Sequence, residues 1–568
     1  MKLNHIFLLL AVALSSSLFA QHNEEVTIEG TYRPKVNKVD KILMKPETSE
    51  TSFSMPSTEI HLLDIQHPFT MELDKLTALT YNANNASKEA VTENFLMAGM
   101  GTRISPVFLY KHHSKLAKNL ALGVGIDHFS SWLNMKDYGP SSFMNNAFDV
   151  SLTSSRYNNF QLGGGIYYKN DLYHFYGFHP TVSDVSVLED ATRQTYNTIG
   201  AHYGVTSAST RLGEFSHHGD IDYHFLFDRF DGREHDVRLN YELDYTASWW
   251  GKKSNPQNVG MRLDFQYVYF SGYLYETQKG VALNYLNRLQ FQVNPYFEMK
   301  DDFYRLHLGV NADVMNDVPR FGVYPDVKGS LFVMNKKLEF YAGLNGGRKL
   351  VTYSGLIEEN PFLGREVNEI ASPTVKLGFE GGFRTNVLET LDIHVGVRYR
   401  NTANDLFFYP TSGSSSNNPL GTNHCFGVVM DDTRLVSVLA NVRWLAMDDL
   451  TLDAGFAYNH YTMTNLPHPW YRPATEGDLK ISYTFDDKLA LNAFFLYQGG
   501  RYDGEVNVGG SSSKMKDVFD LGLGADYKIK DGFTVFAKLD NVANQKYQIY
   551  YNYPVTGIQF YAGVKLQF

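Results

Sequence analysis

The sequence has little cysteine, no long apolar run beyond its first residues and no surplus of positive charge. Its only cysteine is Cys425, which excludes a disulfide framework and a thiolate metal cluster. Nothing beyond the N-terminus approaches the roughly 20 consecutive apolar residues of a spanning helix, so a bundle of such helices is excluded. The net charge of -10 argues against a nucleic-acid-binding protein, which needs a basic surface.

Aromatic residues are abundant instead. The 568 residues include 38 Tyr and 39 Phe, more than the core of an ordinary globular protein requires. Aromatic girdles at the two interfaces of a membrane are one physical use for that excess. The mean hydropathy of -0.29 is typical of a soluble protein, but it does not exclude a membrane barrel. Polar residues that face a barrel lumen dilute the apolar residues that face lipid.

The N-terminus has the pattern of a secretory signal peptide. Lys2 precedes a short apolar run at 6–14, and three serines at 15–17 are followed by Leu18, Phe19 and Ala20. We expect residues 1–20 to be the signal peptide, with a buried N-terminal helix as the alternative. Residues 21–92 contain spaced prolines and little alternation, which predicts an extended periplasmic or lumen-threading segment.

From about residue 93 onward, apolar and polar residues alternate along one run after another. Alternation places apolar side chains on one face of a β-strand and polar side chains on the other. These runs are longer than strands of soluble domains and match the 9–11 residues of a tilted membrane strand. Charges within them require water on the polar face, which a lumen supplies. The clearest runs begin at Val237, Met261, Tyr304, Leu391 and Phe519.

The links between the runs predict the strand number. Long links such as Gly346–Ser372 and Asn401–Asn423 would lie on one rim and short polar links on the other. The short links lie near residues 118, 158, 213, 254, 301, 335, 389, 448, 486 and 530. If both ends lie at the short-link rim, residues 93–568 form an all-β, transmembrane, antiparallel up-and-down barrel of about 22 strands, within a range of 16–22.

The last stretch, 558–568, alternates to the very end of the chain. Leu566 and Phe568 lie on its apolar face, while Gln559 and Gln567 lie on the other face. The final strand of a soluble sandwich is the alternative interpretation of this stretch taken alone. A C-terminal aromatic strand resembles the closing strand of Gram-negative outer-membrane barrels, which implies that Leu566 and Phe568 form the signal for the barrel assembly machinery.

These features together resemble the TonB-dependent receptor family. The sequence Asp-Asn-Val-Ala-Asn at 540–544, then Tyr547 and the closing strand, is similar to the C-terminal end of that family. Near the N-terminus, the segment 24–36, with Val26, Thr27 and Ile28 and a Tyr-Arg-Pro sequence, is loosely similar to the stretch before the family's plug domain. The resemblance implies a barrel over residues 93–568.

The family's plug is a globular domain considerably longer than the segment available here. Only about seventy residues separate the expected signal peptide from the first barrel strand. We therefore expect no full plug, which leaves energy-coupled import open. Because barrel bore grows with strand number, something else should fill the lumen. The candidates are inward-folded loops, the N-terminal segment or a partner.

Aromatic residues next to polar loop segments are the candidate binding residues. Exposed aromatics of this kind suit sugars, peptides or partner proteins. The outer aromatic girdle is the alternative, and Trp249 and Trp250 are also expected in a girdle. The candidates are Phe407, Phe408, Tyr409, Trp470, Tyr471, Tyr550 and Tyr551.

No catalytic, cofactor or metal site is predicted. Adjacent histidines such as His112 and His113 point to opposite faces of a strand and cannot easily share one metal ion. A membrane hydrolase would need a nucleophile and a histidine, but no Gly-X-Ser-X-Gly sequence is present. We therefore expect a protein that is not an enzyme.

Two functions remain open. The first is a transport protein that passes or imports a solute across the outer membrane of a Gram-negative bacterium. The second is a non-transporting barrel that scaffolds an outer-membrane complex. In that case Val26, Thr27 and Ile28 would contact a periplasmic or lipoprotein partner. In both cases we expect the barrel to lie in outer-membrane lipid and to bind no nucleic acid.

Overall fold

The computed structural model describes most of the chain after residue 92. The described residues are 93–157, 160–178, 185–207, 212–249, 255–276, 282–364, 370–388, 390–411, 425–486, 488–504 and 512–568. The expected signal peptide, the segment 21–92 and its Val26, Thr27 and Ile28 lie outside these residues, as does Trp250.

Twenty-two strands form one sheet, and two more form a small hairpin. The strands are β1 (Asn94–Gly101), β2 (Ser105–Ala117), β3 (Leu120–Ser131), β4 (Phe143–Tyr157), β5 (Phe160–His174), β6 (Arg193–Ser207), β7 (Phe215–Asp228), β8 (Arg233–Ala247), β9 (Gln257–Glu276), β10 (Ala282–Lys300), β11 (Tyr304–Met315), β12 (Phe321–Val333), β13 (Leu338–Arg348), β14 (Thr374–Leu388), β15 (Leu391–Pro410), β16 (Phe426–Met447), β17 (Leu450–Met463), β18 (Thr475–Phe485), β19 (Leu489–Gly499), β20 (Val518–Lys530), β21 (Phe533–Asp540), β22 (Gln548–Tyr550), β23 (Tyr553–Pro554) and β24 (Gln559–Gln567).

The sheet closes on itself. Consecutive strands pair antiparallel from β1 to β21, β21 pairs with β24, and β24 pairs with β1. Where β24 meets β1, the Asn94 N–H donates to the Phe568 carbonyl over 2.9 Å, and the Phe568 N–H donates to the Asn94 carbonyl over 3.1 Å. Closure leaves no sheet edge unpaired, which a bilayer demands. The predicted 22-stranded antiparallel barrel is confirmed.

In the described parts of the links there are two short helices: α1 (Val185–Thr192) between β5 and β6, and α2 (Tyr353–Glu359) between β13 and β14. Within the described ranges, no helix has the length and apolar character needed to cross a membrane.

The alternation in the sequence separates an apolar exterior from a polar interior. On β11, Leu308, Val310 and Val314 are exposed on the outside, whereas His307 and Asp313 are buried inside. The last strand follows the same rule: Phe560 is 44% exposed and Gln559 only 4%. An apolar exterior of this extent is stable when lipid covers it.

The predicted short links coincide with gaps between consecutive strands. The links at 118–119, 448–449 and 531–532 contain two residues each, and both ends of the barrel lie at this rim. Trp249 lies in the link between β8 and β9 and is 46% exposed, as expected for a girdle residue.

The opposite rim differs from the prediction in detail. The expected loop at 401–423 is wrong in its first part, because β15 continues to Pro410 and pairs there with Phe426. Links on this rim are also not uniformly long, since β1 and β2 are joined by 102–104 and β7 and β8 by 229–232. The main long links are 132–142, 175–192, 349–373, 411–425, 464–474, 500–517 and 541–558. This rim is called the long-loop rim below.

Candidate functional site

Loops from distant strands meet inside the barrel at the long-loop rim. The Phe362 ring, after β13, stacks on the Tyr553 ring, after β21, with centroids 3.9 Å apart. The Tyr553 ring also lies 4.8 Å from that of Tyr176, after β5, and 5.6 Å from that of Phe426 on β16. These strands are well separated around the 22-stranded barrel, so the loops that follow them must reach into the bore for these side chains to touch.

The contacts form one buried cluster, here called the loop cluster. Its aromatic rings pack at angles typical of favourable aromatic pairs, each worth about 0.5–1.5 kcal/mol beyond the area it buries. Its buried members are Tyr196, Leu226, Phe270, Tyr353, Leu356, Leu363, Ile370, Phe407, Phe408, Phe426, Val428, Leu466, Trp470, Tyr471, Tyr550 and Tyr553. A core built from loop residues together with inward-facing strand residues therefore occupies the bore at this rim.

An ion pair holds the 464–474 loop against β15. The Arg472 guanidinium donates to both carboxylate oxygens of Asp405, over 2.7 and 2.9 Å, and to the Leu406 carbonyl over 2.8 Å. It also lies over the Phe407 ring, 4.3 Å from its centroid. Burial by itself lowers the pKa of Arg472, but the Asp405 carboxylate outweighs burial and the net shift is upward. Arg472 therefore stays charged, and the pair keeps its two parallel bonds.

A second arginine fixes the β22–β23 hairpin. Arg501 is 2% exposed and donates to the carbonyls of Gln548 over 2.9 Å and of Ile549 and Lys516 over 3.4 Å. Burial lowers the pKa of Arg501 to about 10, because carbonyl oxygens replace water around the guanidinium and Tyr547 only partly opposes the shift. Arg501 ties the hairpin to the 500–517 loop.

The barrel wall holds the N-terminal end of α2. The Glu234 carboxylate, on β8, accepts from the backbone N–H groups of Tyr353 and Ser354, the latter over 3.0 Å. The Tyr353 hydroxyl donates to Asp228 over 2.7 Å, and Thr352 caps the helix by accepting from Gly355 over 2.9 Å. Negative charge at this end of a helix is favourable. The 349–373 loop is therefore anchored to the β7–β8 hairpin.

A cavity of about 500 Å³ lies between the loop cluster and the inner wall. Wall strands β4 to β8 line one side, while the α2 loop and the last loop line the other. Lys169, Asp171, Asp222, Arg238 and Glu358 contribute charge. The tyrosines of the lining are Tyr167, Tyr173, Tyr176, Tyr196, Tyr550 and Tyr553. Aromatic faces beside hydrogen-bonding groups are the usual lining of a site for a small organic molecule.

The structure moves most of the predicted binding aromatics from the surface to the interior. Exposure of these side chains was expected, and it is wrong for five of them, because loops that fold into the bore either carry these side chains or cover them. Phe407, Phe408, Trp470, Tyr471 and Tyr550 are at most 5% exposed. The interpretation as an outer girdle is wrong for the same five residues.

The remaining candidates differ from these five. Tyr409 is half-buried against the cluster and Tyr551 is 41% exposed. Phe407, Phe408 and Tyr409 also belong to β15 and not to a loop. Of the seven candidates, Tyr550 alone lines the cavity. A binding role for them stays a prediction, as does the insertion signal at Leu566 and Phe568.

Sequence reasoning missed the wall residues. His224, Glu234 and Asp236 are buried, and in the described part of the chain they form the one group of three whose geometry suits a metal ion. The sequence did contain a signal, because β7 carries an Asp-X-His sequence, β8 carries a Glu-X-Asp sequence, and a link of only four residues joins the two strands. In each sequence the first and third residues lie on the same face of the strand. Their meeting depends on strand register, which the sequence pattern alone did not supply.

No family model matches the chain. No curated protein matches it either. Solved structures do: the siderophore receptor PirA from Acinetobacter baumannii has a TM-score of 0.64 at 12% identity, with 84% of this chain and 80% of that chain covered.

Two further receptors give similar values. For a mutant of the ferric enterobactin receptor PfeA from Pseudomonas aeruginosa, the TM-score is 0.63 at 12% identity, with coverage of 84% and 80%. For the ferric-catecholate import receptor Fiu from E. coli K12, the TM-score is 0.63 at 9% identity, with coverage of 84% and 82%. Identities this low show the fold alone. In fold, the chain is a 22-stranded barrel of the TonB-dependent receptor type, the type found in Gram-negative outer membranes.

Proposed function

We propose that this protein is an outer-membrane uptake barrel that binds a small polar organic solute in the cavity beneath the loop cluster and admits it when the loops separate. The observation that carries the proposal is the cluster itself, in which loops rooted on distant strands pack across the bore above a lined cavity. A barrel that served only as a scaffold would not need such a compartment.

The chemistry of the cavity supports an organic solute with rings or hydroxyl groups. Tyrosine faces such as those of Tyr167 and Tyr176 can stack on rings, and Lys169 and Arg238 can bind anionic oxygens. Three structural neighbours are named as receptors for siderophores, ferric enterobactin or ferric catecholates. Iron–siderophore complexes are therefore the first solutes to test.

The loop cluster also supports a gate. Its contacts include side-chain packing and anchors such as the Arg472–Asp405 pair, and these contacts are separate from the strand pairings that close the barrel. Loops of this kind can separate without breaking the barrel hydrogen bonds. We propose that solute binding and release accompany such movement.

Conductance in planar bilayers tests the proposal. The purified full chain should conduct little, whereas the double variant Phe426→Ala with Tyr553→Ala should open, because both rings lie at the centre of the cluster. Tyr551→Ala is the matched control, since Tyr551 lies in the turn of the hairpin that contains Tyr553 but is exposed. A double variant that folds and stays as silent as the control would contradict the gate.

Uptake provides the second measurement. Cells that lack the protein should lose uptake of the transported solute, and Lys169→Ala should weaken uptake without opening the barrel. If deletion leaves uptake of every tested iron complex and sugar unchanged, and mild-detergent purification yields a fixed stoichiometric partner, the scaffold function replaces this proposal.

A further inference from the structure

The β7–β8 hairpin brings a histidine and two carboxylates together on the inner wall. His224 pairs directly across the sheet with Asp236, and Leu226 pairs with Glu234. Residues two apart on a strand share a face, so His224, Glu234 and Asp236 all point into the lumen. Their outward neighbours confirm the assignment, because Tyr223 is 39% exposed on the lipid side.

The three side chains are buried and close. His224 is 7% exposed, and Glu234 and Asp236 are 0% exposed. One ligand atom from each lies within 4.8 Å of the others. The Nε2 atom of His224 has no hydrogen-bond partner, and Glu234 Oε1 lies 3.6 Å from it, beyond hydrogen-bond range. Two ligands bound to one tetrahedral zinc ion are separated by about 3.4 Å, which is close to this spacing.

The charges of this group also match a divalent cation. Asp222 lies 3.8 Å from the other ring nitrogen of His224, which makes three carboxylates in the group with Glu234 and Asp236. A guanidinium is bonded to one of them: Arg238 Nη2 lies 2.7 Å from Asp236 Oδ2. Two negative charges remain when His224 is neutral, and buried carboxylates are unfavourable without compensation.

We propose that His224, Glu234 and Asp236 bind a divalent first-row transition-metal cation, of which Zn²⁺ is the simplest probe. Imidazole nitrogen and carboxylate oxygen are ligands for zinc, and three protein ligands leave one position for water from the cavity that His224 lines. This function is separate from solute uptake and is not assigned by the fold.

Neighbouring groups hold the carboxylates in place. Gln266 donates to Asp236 over 3.0 and 3.1 Å, and the backbone N–H of Ser354 donates to Glu234 over 3.0 Å. Such partners orient metal ligands in known sites. Because Glu234 also holds the first residues of α2, a bound cation braces the 349–373 loop against the wall. Metal occupancy should therefore protect this loop from proteolysis.

Calorimetry on the folded, detergent-solubilised full chain, after treatment with EDTA, tests the site. We expect one Zn²⁺ per chain, with much weaker binding of Mg²⁺ and Ca²⁺. His224→Gln and Asp236→Asn should each weaken zinc binding at least about tenfold, as loss of a ligand or its support does elsewhere. The matched control is His218→Ala, an exposed histidine on the same strand, which should bind zinc as the unmodified chain does.

Folding of each variant is checked by the heat-dependent gel shift of the barrel, so that loss of binding is not confused with misfolding. Zinc should also slow cleavage within 349–373 in the unmodified chain but not in His224→Gln. Substoichiometric zinc binding in the unmodified chain, or equal binding by the folded His224→Gln variant, would overturn the proposal.

Discussion

At the scale of single residues, the interior is held by polar groups that pair across strands and loops. Arg348 and Asp313 show the pattern: both side chains are 1% exposed, and two hydrogen bonds of 2.7 and 2.9 Å join them. Alternation predicted that Asp313 would face inward, and it does. It could not predict Arg348 as its partner, because that contact skips a strand and depends on how the bore is filled.

Arg472→Ala should destabilise the loop cluster. It leaves the Asp405 carboxylate without its charge partner in a largely buried position, which costs roughly 3 kcal/mol in comparable pairs. Thermal unfolding of the purified barrel should show a lower midpoint, with a smaller loss for Arg472→Lys. In a double-mutant cycle, Asp405→Ala should add little to Arg472→Ala. Additive losses would show that the pair is not coupled.

Glu359→Gln should stabilise the cluster at neutral pH. Burial raises the pKa of Glu359, and the charge of Arg472 opposes this only in part. When a carboxyl group has a higher pKa in the folded state than in the unfolded state, its protonated form stabilises the fold. This stabilisation is complete below the unfolded-state pKa of 4.5, and it is lost as the pH rises through the folded-state pKa. The thermal midpoint of the variant should therefore equal that of the unmodified chain near pH 4 and be higher than that of the unmodified chain at pH 8. Glu358→Gln, at an exposed position, controls for the lost charge.

At the scale of elements, strands were predictable and loops were not. The run at 237–249 was recognised from its rhythm, and β8 occupies most of it, with Leu239 outside and Asp236 inside. The period of a strand is local, so sequence contains it. Burial of Tyr471 is not local. The Tyr471 ring packs against Phe426 and Tyr550, which lie far away in sequence, and these three residues approach one another only when the barrel closes.

The two faces of β8 should respond oppositely to charge. Leu239→Arg places a charge in lipid and should cost roughly 2–4 kcal/mol if it lies near the bilayer centre. Asn240→Arg, on the adjacent lumen-facing position, should cost little because water surrounds it. Urea unfolding in lipid vesicles measures the difference. Equal tolerance at the two positions would contradict the assignment of faces.

Removal of Phe568 should reduce insertion more than stability. This residue is 63% exposed where β24 meets β1 and forms few packing contacts, although its backbone bonds to Asn94. Phe568→Ala should lower the amount of barrel in the outer membrane, while the purified barrel keeps its thermal midpoint within a few degrees. Gln567→Ala is the adjacent control. Normal membrane levels for Phe568→Ala would remove the insertion signal from this residue.

At the scale of the whole molecule, the strand count and the closure followed from ten short links and an even number of crossings. What fills the bore did not follow, since inward loops, the N-terminal segment and a partner were all open. The described residues show that loops occupy the bore at the long-loop rim, where Phe362, Tyr553 and Tyr176 contact one another. The account of uptake rests on this meeting of loops.

Photo-crosslinking in intact outer membranes tests that meeting most directly. A benzophenone amino acid at position 553 should form intramolecular links to peptides that contain Phe362 or Tyr176, because the centroids of those rings lie 3.9 and 4.8 Å from the centroid of the Tyr553 ring. Mass spectrometry identifies the linked peptides. The same label at exposed position 551 should give few such links. Links from position 553 confined to its own loop, or to other proteins, would contradict the account.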